Sequence, residues 1–194
     1  MLIMGGTVSL QRSMAHRITT IPPRLACWRA RLERRPYRAA AALGACLGIV
    51  GTLCTLCVIG VVLQFLPPEQ WGHSAAAGLG RFGPAWIFLI AVVYAPVVET
   101  LLAQVLPMEL AHRLGAPSSA CVLLSGLVFA CGHYLNGGLA HGMTTFFGGM
   151  ILACAYVAMR WAGVGPAVLA AGTAHAVQNG TVLFVLAPLL PGGA

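Results

Sequence analysis

Aspartate and lysine are absent from this 194-residue chain, and glutamate occurs only as Glu33, Glu69, Glu99 and Glu109. Charged residues make up 8% of the sequence and hydrophobic ones 59%. A water-soluble domain carries about 25% charged residues, so this shortage excludes an ordinary soluble fold. The basic residues are all arginine, and eight of the eleven precede residue 39. The net charge of +7 is therefore mostly one N-terminal block. Basic faces with interleaved aromatics, as nucleic-acid binding needs, are missing, and no nucleic-acid partner is expected. A single basic block before a long apolar run suits the anionic inner leaflet of a membrane.

Cysteine is present but without a framework. The seven residues are an odd number, and Cys46, Cys54, Cys57, Cys121, Cys131 and Cys154 fall in apolar stretches, where cysteine acts as a small hydrophobe. The Cys54-x-x-Cys57 spacing has no second ligand pair, so no disulfide, redox or zinc role is expected from the cysteines. The first apolar run, from about Ala39 to Leu66, is far longer than the 7–15 residues of a signal-peptide core and reads as a retained anchor.

What is present is a series of membrane spans. Residues 1–37 form a basic segment in which Leu25, Trp28 and Leu32 share one face between Arg24 and Arg35, as in an amphipathic helix on a cytoplasmic membrane surface. Residues 38–83 hold the first span, with a Gly44-xxx-Gly48 packing signal, a stop at Pro67-Pro68 and an outer loop. Residues 84–194 form the core. Its first apolar stretch, Pro84 to His112, contains Pro96 and Pro107 and is expected to kink or break near Pro96. Further spans run from Pro117 to about Tyr134, from about Gly142 to Trp161 after an Asn136-Gly137-Gly138 turn, and from Gly163 to about Leu190. The expected fold is an all-α polytopic transmembrane bundle of five helices, or six if the Pro96 stretch breaks. With the N-terminus inside, ten of the eleven arginines lie inside and only Arg81 lies outside, which favours a cytoplasmic N-terminus in a bacterial inner membrane. No internal repeat of the kind common in transporters is visible.

A few polar residues interrupt these spans. Glu99 is flanked by apolar residues, and a buried acid at mid-span costs ~2.5–3.5 kcal/mol on insertion scales, so such residues usually mark function. Glu109 near the span end reads as an i,i+4 partner of Arg113. His133 ends the third span. His175 and Asn179, four apart in the last span, share one helix face, with Gly172, Ala176 and Gly180 forming an adjacent small-residue stripe for close helix approach. Measured from the cytoplasmic end at the rise of an α-helix, Glu99 lies about 20 Å deep, His133 about 24 Å, His175 about 15 Å and Asn179 about 21 Å. Four polar groups from three helices thus fall in one layer. A carboxylate there can take a proton from water attacking a carbonyl, and imidazole and amide N–H groups can hold the oxyanion. Glu99, His133 and His175 could instead ligate zinc with an open fourth position.

These residues resemble the CPBP intramembrane proteases, which include the Ras-converting CAAX endopeptidases and the bacterial Abi proteins. The family pattern is similar to EExxxR, FxxxH and HxxxN/D on successive membrane helices. The matches are Glu99-Thr100-xxx-Gln104, Phe129-xxx-His133 and His175-xxx-Asn179, within about Pro84 to Leu190. The resemblance implies that Glu99 and His133 activate water and that His175 and Asn179 stabilise the oxyanion, without a cofactor. Thr100 and Gln104 depart from the pattern, replacing a carboxylate–guanidinium pair by a neutral pair that can keep a hydrogen bond. Thr100, Gln104 and Phe129 are supporting residues on this reading.

The expected function is an intramembrane endopeptidase acting on a membrane-anchored peptide or protein near the bilayer boundary. Two alternatives are a non-catalytic scaffold or bacteriocin-immunity protein that keeps the pocket, and a small proton-coupled transporter with Glu99 as its proton site.

Overall fold

The computed structural model describes residues 33–72, 77–79 and 81–189, and every regular element among them is helical. The amphipathic surface helix expected around Arg24–Arg35 falls almost wholly outside the described residues. Among the described residues, four helical segments are long and apolar enough to cross a membrane: α1 (Pro36–Phe65), α2 (Pro84–Arg113), α3 (Ser118–Ala162) and α4 (Val164–Leu186). Their outer faces carry large apolar side chains in the open, among them Leu53, Val61, Leu102, Leu127 and Val185. A water-soluble monomer does not leave so much contiguous apolar surface uncovered, whereas lipid accepts it. The chain is an integral membrane protein.

The α3 segment is a hairpin. Gly138 has φ 81° and ψ −174°, a conformation closed to residues with a side chain, and it reverses the chain between residues 118–137 and 139–159. Small residues bring the two arms together. A Cβ on Gly126 would sit 3.1 Å from the Phe146 carbonyl oxygen, one on Gly149 2.9 Å from Phe129 Cβ, and one on Gly142 3.0 Å from Tyr134 Cβ. Each arm has about 20 residues and spans about 30 Å, the thickness of a bilayer core. The hairpin supplies the third and fourth spans read from the sequence, so the described residues form five helices of crossing length.

The α2 helix does not break. Instead, two π-helical stretches, Phe88–Tyr94 and Thr100–Val105, lie just ahead of Pro96 and Pro107. Proline has no N–H and its ring clashes with the carbonyl four residues back. A π turn widens the helix and shifts the bonds by one residue, so Ala95 N–H donates to Ile90 and Leu106 N–H to Leu101. The sixth helix considered at Pro96 is therefore not formed.

The Gly44-xxx-Gly48 signal marks a true interface. An added Cβ would stand 2.4 Å from the Ala170 carbonyl oxygen at Gly44 and 2.6 Å from that of Ala174 at Gly48, so the α1 and α4 backbones nearly touch. The Gly172–Ala176–Gly180 stripe does not do this: nothing lies within 4 Å of a Cβ at Gly172, and Gly180 meets only Val92 at 3.7 Å. Close approach on α4 uses its Ala170–Ala174 side instead.

At one end of the bundle the Glu109 carboxylate accepts from Arg160 Nε at 2.6 Å, Arg160 Nη2 at 3.0 Å and the Tyr156 hydroxyl at 2.6 Å. Glu109 thus pairs across helices and not with Arg113, because the second arm of α3 presents a planar two-pronged donor where Arg113 offers only a neighbour on the same helix. This clamp places Arg113 and Arg160 at the same end. At the opposite end the loop after α1 lies on the α3 turn, where Gly72 and Gly138 meet backbone to backbone.

Candidate functional site

The two helix types around the site position its groups differently. Glu99 ends the α-helical turn Ala95–Glu99 of α2, between the two π stretches. His133 lies near the turn end of the first α3 arm, and His175 and Asn179 lie one turn apart on α4. Oε2 of Glu99 stands 3.7 Å from Nε2 of His133 and 3.6 Å from Nε2 of His175. Both distances exceed a direct hydrogen bond. The carboxylate therefore faces two imidazole edges across gaps that a small bound group can bridge.

Phe129 organises the imidazoles. Its ring lies against that of His133, with centroids 4.3 Å apart, and meets His175 edge-on at 5.3 Å. Its carbonyl accepts a 2.9 Å bond from His133 Nδ1. A carbonyl can only accept, so Nδ1 carries the proton and the Nε2 of a neutral His133 presents a lone pair towards Glu99. His175 is nearly fully buried and its Nδ1 has no partner among the described residues. Leaving a bare lone pair there is less costly than stranding an N–H, which favours the tautomer with Nε2–H turned to Glu99. Asn179 donates from Nδ2 to the Ala91 carbonyl at 2.8 Å, and its amide has a second N–H.

These four groups line one cavity of about 820 Å³, whose wall also includes apolar residues of α1 and α4 such as Leu56, Ile59 and Leu183. The size suits a drug-sized or peptide ligand. Two further wall residues escaped sequence reading. His141 lies with its ring centroid 5.2 Å from that of His133, and its Nε2 is buried without a partner among the described residues. Gln178 fills a slot between Gly51 and Gly148.

Thr100 and Gln104 are not among the cavity-lining residues. Both are fully buried, and Gln104 lies beside Ser125 of the first α3 arm. They keep no bond to each other: Thr100 Oγ1 has no partner among the described residues, and Gln104 meets Ser125. The Ser125 hydroxyl lies beside Gln104 Oε1 and also 3.2 Å from the Ala103 carbonyl. One hydroxyl proton serves one acceptor, and turning the Gln104 amide over lets its N–H₂ donate to Ser125 while Ser125 donates to Ala103.

Among the described residues, no three His, Cys, Asp or Glu side chains are disposed as a ready metal-holding set. Glu99 Oε2 lies within 4 Å of Nε2 of both His133 and His175, but the three do not form such a set. Comparison with known proteins matches the chain to a family. The family model described as Rce1-like, type II CAAX prenyl endopeptidase Rce1-like, matches residues 81–187, more than half of the chain. No curated protein and no solved structure matches.

Proposed function

The chain belongs to the type II CAAX prenyl endopeptidase Rce1-like family, and on that premise we propose that it is an intramembrane endopeptidase using Glu99, His133, His175 and Asn179. The observation that carries this reading is the pair of near-equal distances, 3.7 and 3.6 Å, from one Glu99 oxygen to the Nε2 atoms of two histidines. On this reading the Glu99 carboxylate and the His133 Nε2 lone pair accept from one water. As the water oxygen attacks the scissile carbonyl, its proton passes to Glu99. His175 Nε2–H and the second Asn179 N–H hold the oxyanion. Collapse breaks the C–N bond, and Glu99 returns the proton to the leaving amine.

The substrate would be a membrane-anchored peptide or protein whose cleavage site reaches the bilayer boundary, in a bacterial inner membrane with the N-terminus cytoplasmic. The arginine bias supports that orientation, since Arg113 and Arg160 share one end of the bundle through the Glu109 clamp. The metal-free mechanism is preferred because it uses all four groups. Thr100 and Gln104 favour the second reading, a pocket kept for binding without hydrolysis, because no charged pair braces α2 beside Glu99.

The test is purified protein in liposomes with a farnesylated CAAX peptide, the released C-terminal tripeptide being followed by mass spectrometry with and without a strong chelator. Release that withstands the chelator is expected. Chelator-sensitive release, restored by zinc, would move the mechanism to a metal. Binding of the peptide without release would favour the scaffold.

A further inference from the structure

The first π stretch of α2 leaves a specific backbone atom without its donor. Ala95 N–H is taken by Ile90, and the next residue, Pro96, has no N–H to give to Ala91. The Ala91 carbonyl thus has no donor left within its own helix, and it is buried at the cavity wall. Such a group needs a donor from outside its helix. Asn179 of α4 does this at 2.8 Å. Pro107 shows the same logic further along α2: it lacks an N–H for Leu102 or Ala103, and the Ser125 hydroxyl of α3 lies 3.2 Å from the Ala103 carbonyl.

The Asn179 bond is one rung of a register between α2 and α4, which run antiparallel. Phe88 meets Phe184 edge-on with centroids 6.0 Å apart, Ala91 meets Asn179, Val92 lies beside Gly180, and Glu99 faces His175. Among these contacts the Asn179 bond is the one with a directional donor and acceptor. It lies one turn of α4 from His175.

We propose that Asn179 is a positioning residue: by bonding the Ala91 carbonyl that Pro96 leaves unpartnered, it fixes the register of α4 on α2 and so the approach of His175 to Glu99. This goes beyond an oxyanion role, which needs only the second amide N–H, and it holds whether or not the site hydrolyses peptides. Pro96 and Asn179 act as one unit: Pro96 leaves the acceptor free and Asn179 supplies its donor.

The test is a double-mutant cycle on the full chain in nanodiscs, with Asn179→Ala, Pro96→Ala and both together. Pro96→Ala restores an N–H, so Ala91 regains an in-helix donor through either an α or a π bond. Two readouts need no substrate: the thermal midpoint and the ¹⁵N imidazole signals of His175. Asn179→Ala in the wild-type background is expected to lower the midpoint by about 2–4 °C and to move the His175 signals. In the Pro96→Ala background its further effect on both should be less than half as large. Equal effects of Asn179→Ala in both backgrounds would overturn the proposal. If either alanine variant fails to fold, Pro96→Ser restores the same N–H and Asn179→Leu removes the donor at similar volume, and the same comparison decides. A loss of hydrolysis without this coupling would leave Asn179 with the oxyanion role alone.

Discussion

Oε2 of Glu99 stands 3.6 Å from Nε2 of His175, close enough to share a bound group and too far for a direct hydrogen bond. Because a mid-membrane carboxylate is retained at a cost, its removal should reveal its use. Glu99→Gln keeps the shape and removes the base. Hydrolysis is expected to fall by about 10²–10⁴-fold, with the thermal midpoint unchanged or raised. A variant that lost folding and activity together would point to a structural carboxyl.

His175 is expected to act differently from Glu99. In the proposed role of oxyanion donor it would matter in the transition state more than in substrate binding. His175→Ala should lower kcat by about 10²–10³-fold with little change in KM, measured by steady-state kinetics in liposomes. A KM effect alone would assign His175 to substrate binding.

His141 contributes a buried, unpartnered ring nitrogen to the cavity wall, 5.2 Å from the His133 ring between centroids. An unsatisfied polar atom costs about 1–3 kcal/mol. His141→Phe should therefore raise the thermal midpoint while lowering turnover, a stability–function exchange. A rise in midpoint with turnover intact would make His141 a mere defect of packing.

The Glu109–Arg160 clamp joins the ends of α2 and α3 through two N–H donors at 2.6 and 3.0 Å. Removing Arg160 leaves the Glu109 carboxylate with the Tyr156 hydroxyl as its remaining donor in the clamp. Arg160→Ala is expected to cost about 1.5–3 kcal/mol, and the Glu109→Gln/Arg160→Gln double variant less than the sum of the single losses. Chemical or thermal unfolding in detergent measures both.

Glycine substitutions on α1 separate packing from chain flexibility. Gly48→Ala puts a methyl 2.6 Å from the Ala174 carbonyl oxygen and should destabilise by about 1–3 kcal/mol. Gly60→Ala, with nothing within 4 Å, should be neutral or mildly stabilising. Similar effects at both sites would argue against the close α1–α4 contact.

Much of this arrangement was legible in the sequence because a bilayer makes polar residues conspicuous. Glu99, His133, His175 and Asn179 stand out against apolar surroundings, and helix rise alone places them in one layer. The Gly137-Gly138 turn and the Gly44-xxx-Gly48 contact were readable for a similar reason, since only small residues meet their geometry. His141 was missed because it lies just past a turn, where a histidine reads as interfacial. The signal existed: His133 and His141 each lie four residues from Gly137, and folding a hairpin about that point brings them together. The Asn179–Ala91 bond could not be read, because its acceptor is a backbone atom freed by a π turn. Nor could the partner of Glu109, since a same-helix Arg113 and a distant Arg160 look equally basic in one dimension.

The central claim is that the Glu99–histidine constellation breaks a peptide bond, and the most direct measurement is cleavage by wild type and Glu99→Gln side by side. Both proteins, folded to the same thermal criterion in liposomes, are given the farnesylated CAAX peptide in ¹⁸O-labelled water. Wild type is expected to release the tripeptide and leave ¹⁸O in the new carboxyl group of the prenylated fragment, while Glu99→Gln releases at most about a hundredth as much. Release by Glu99→Gln at the wild-type rate would contradict the claim.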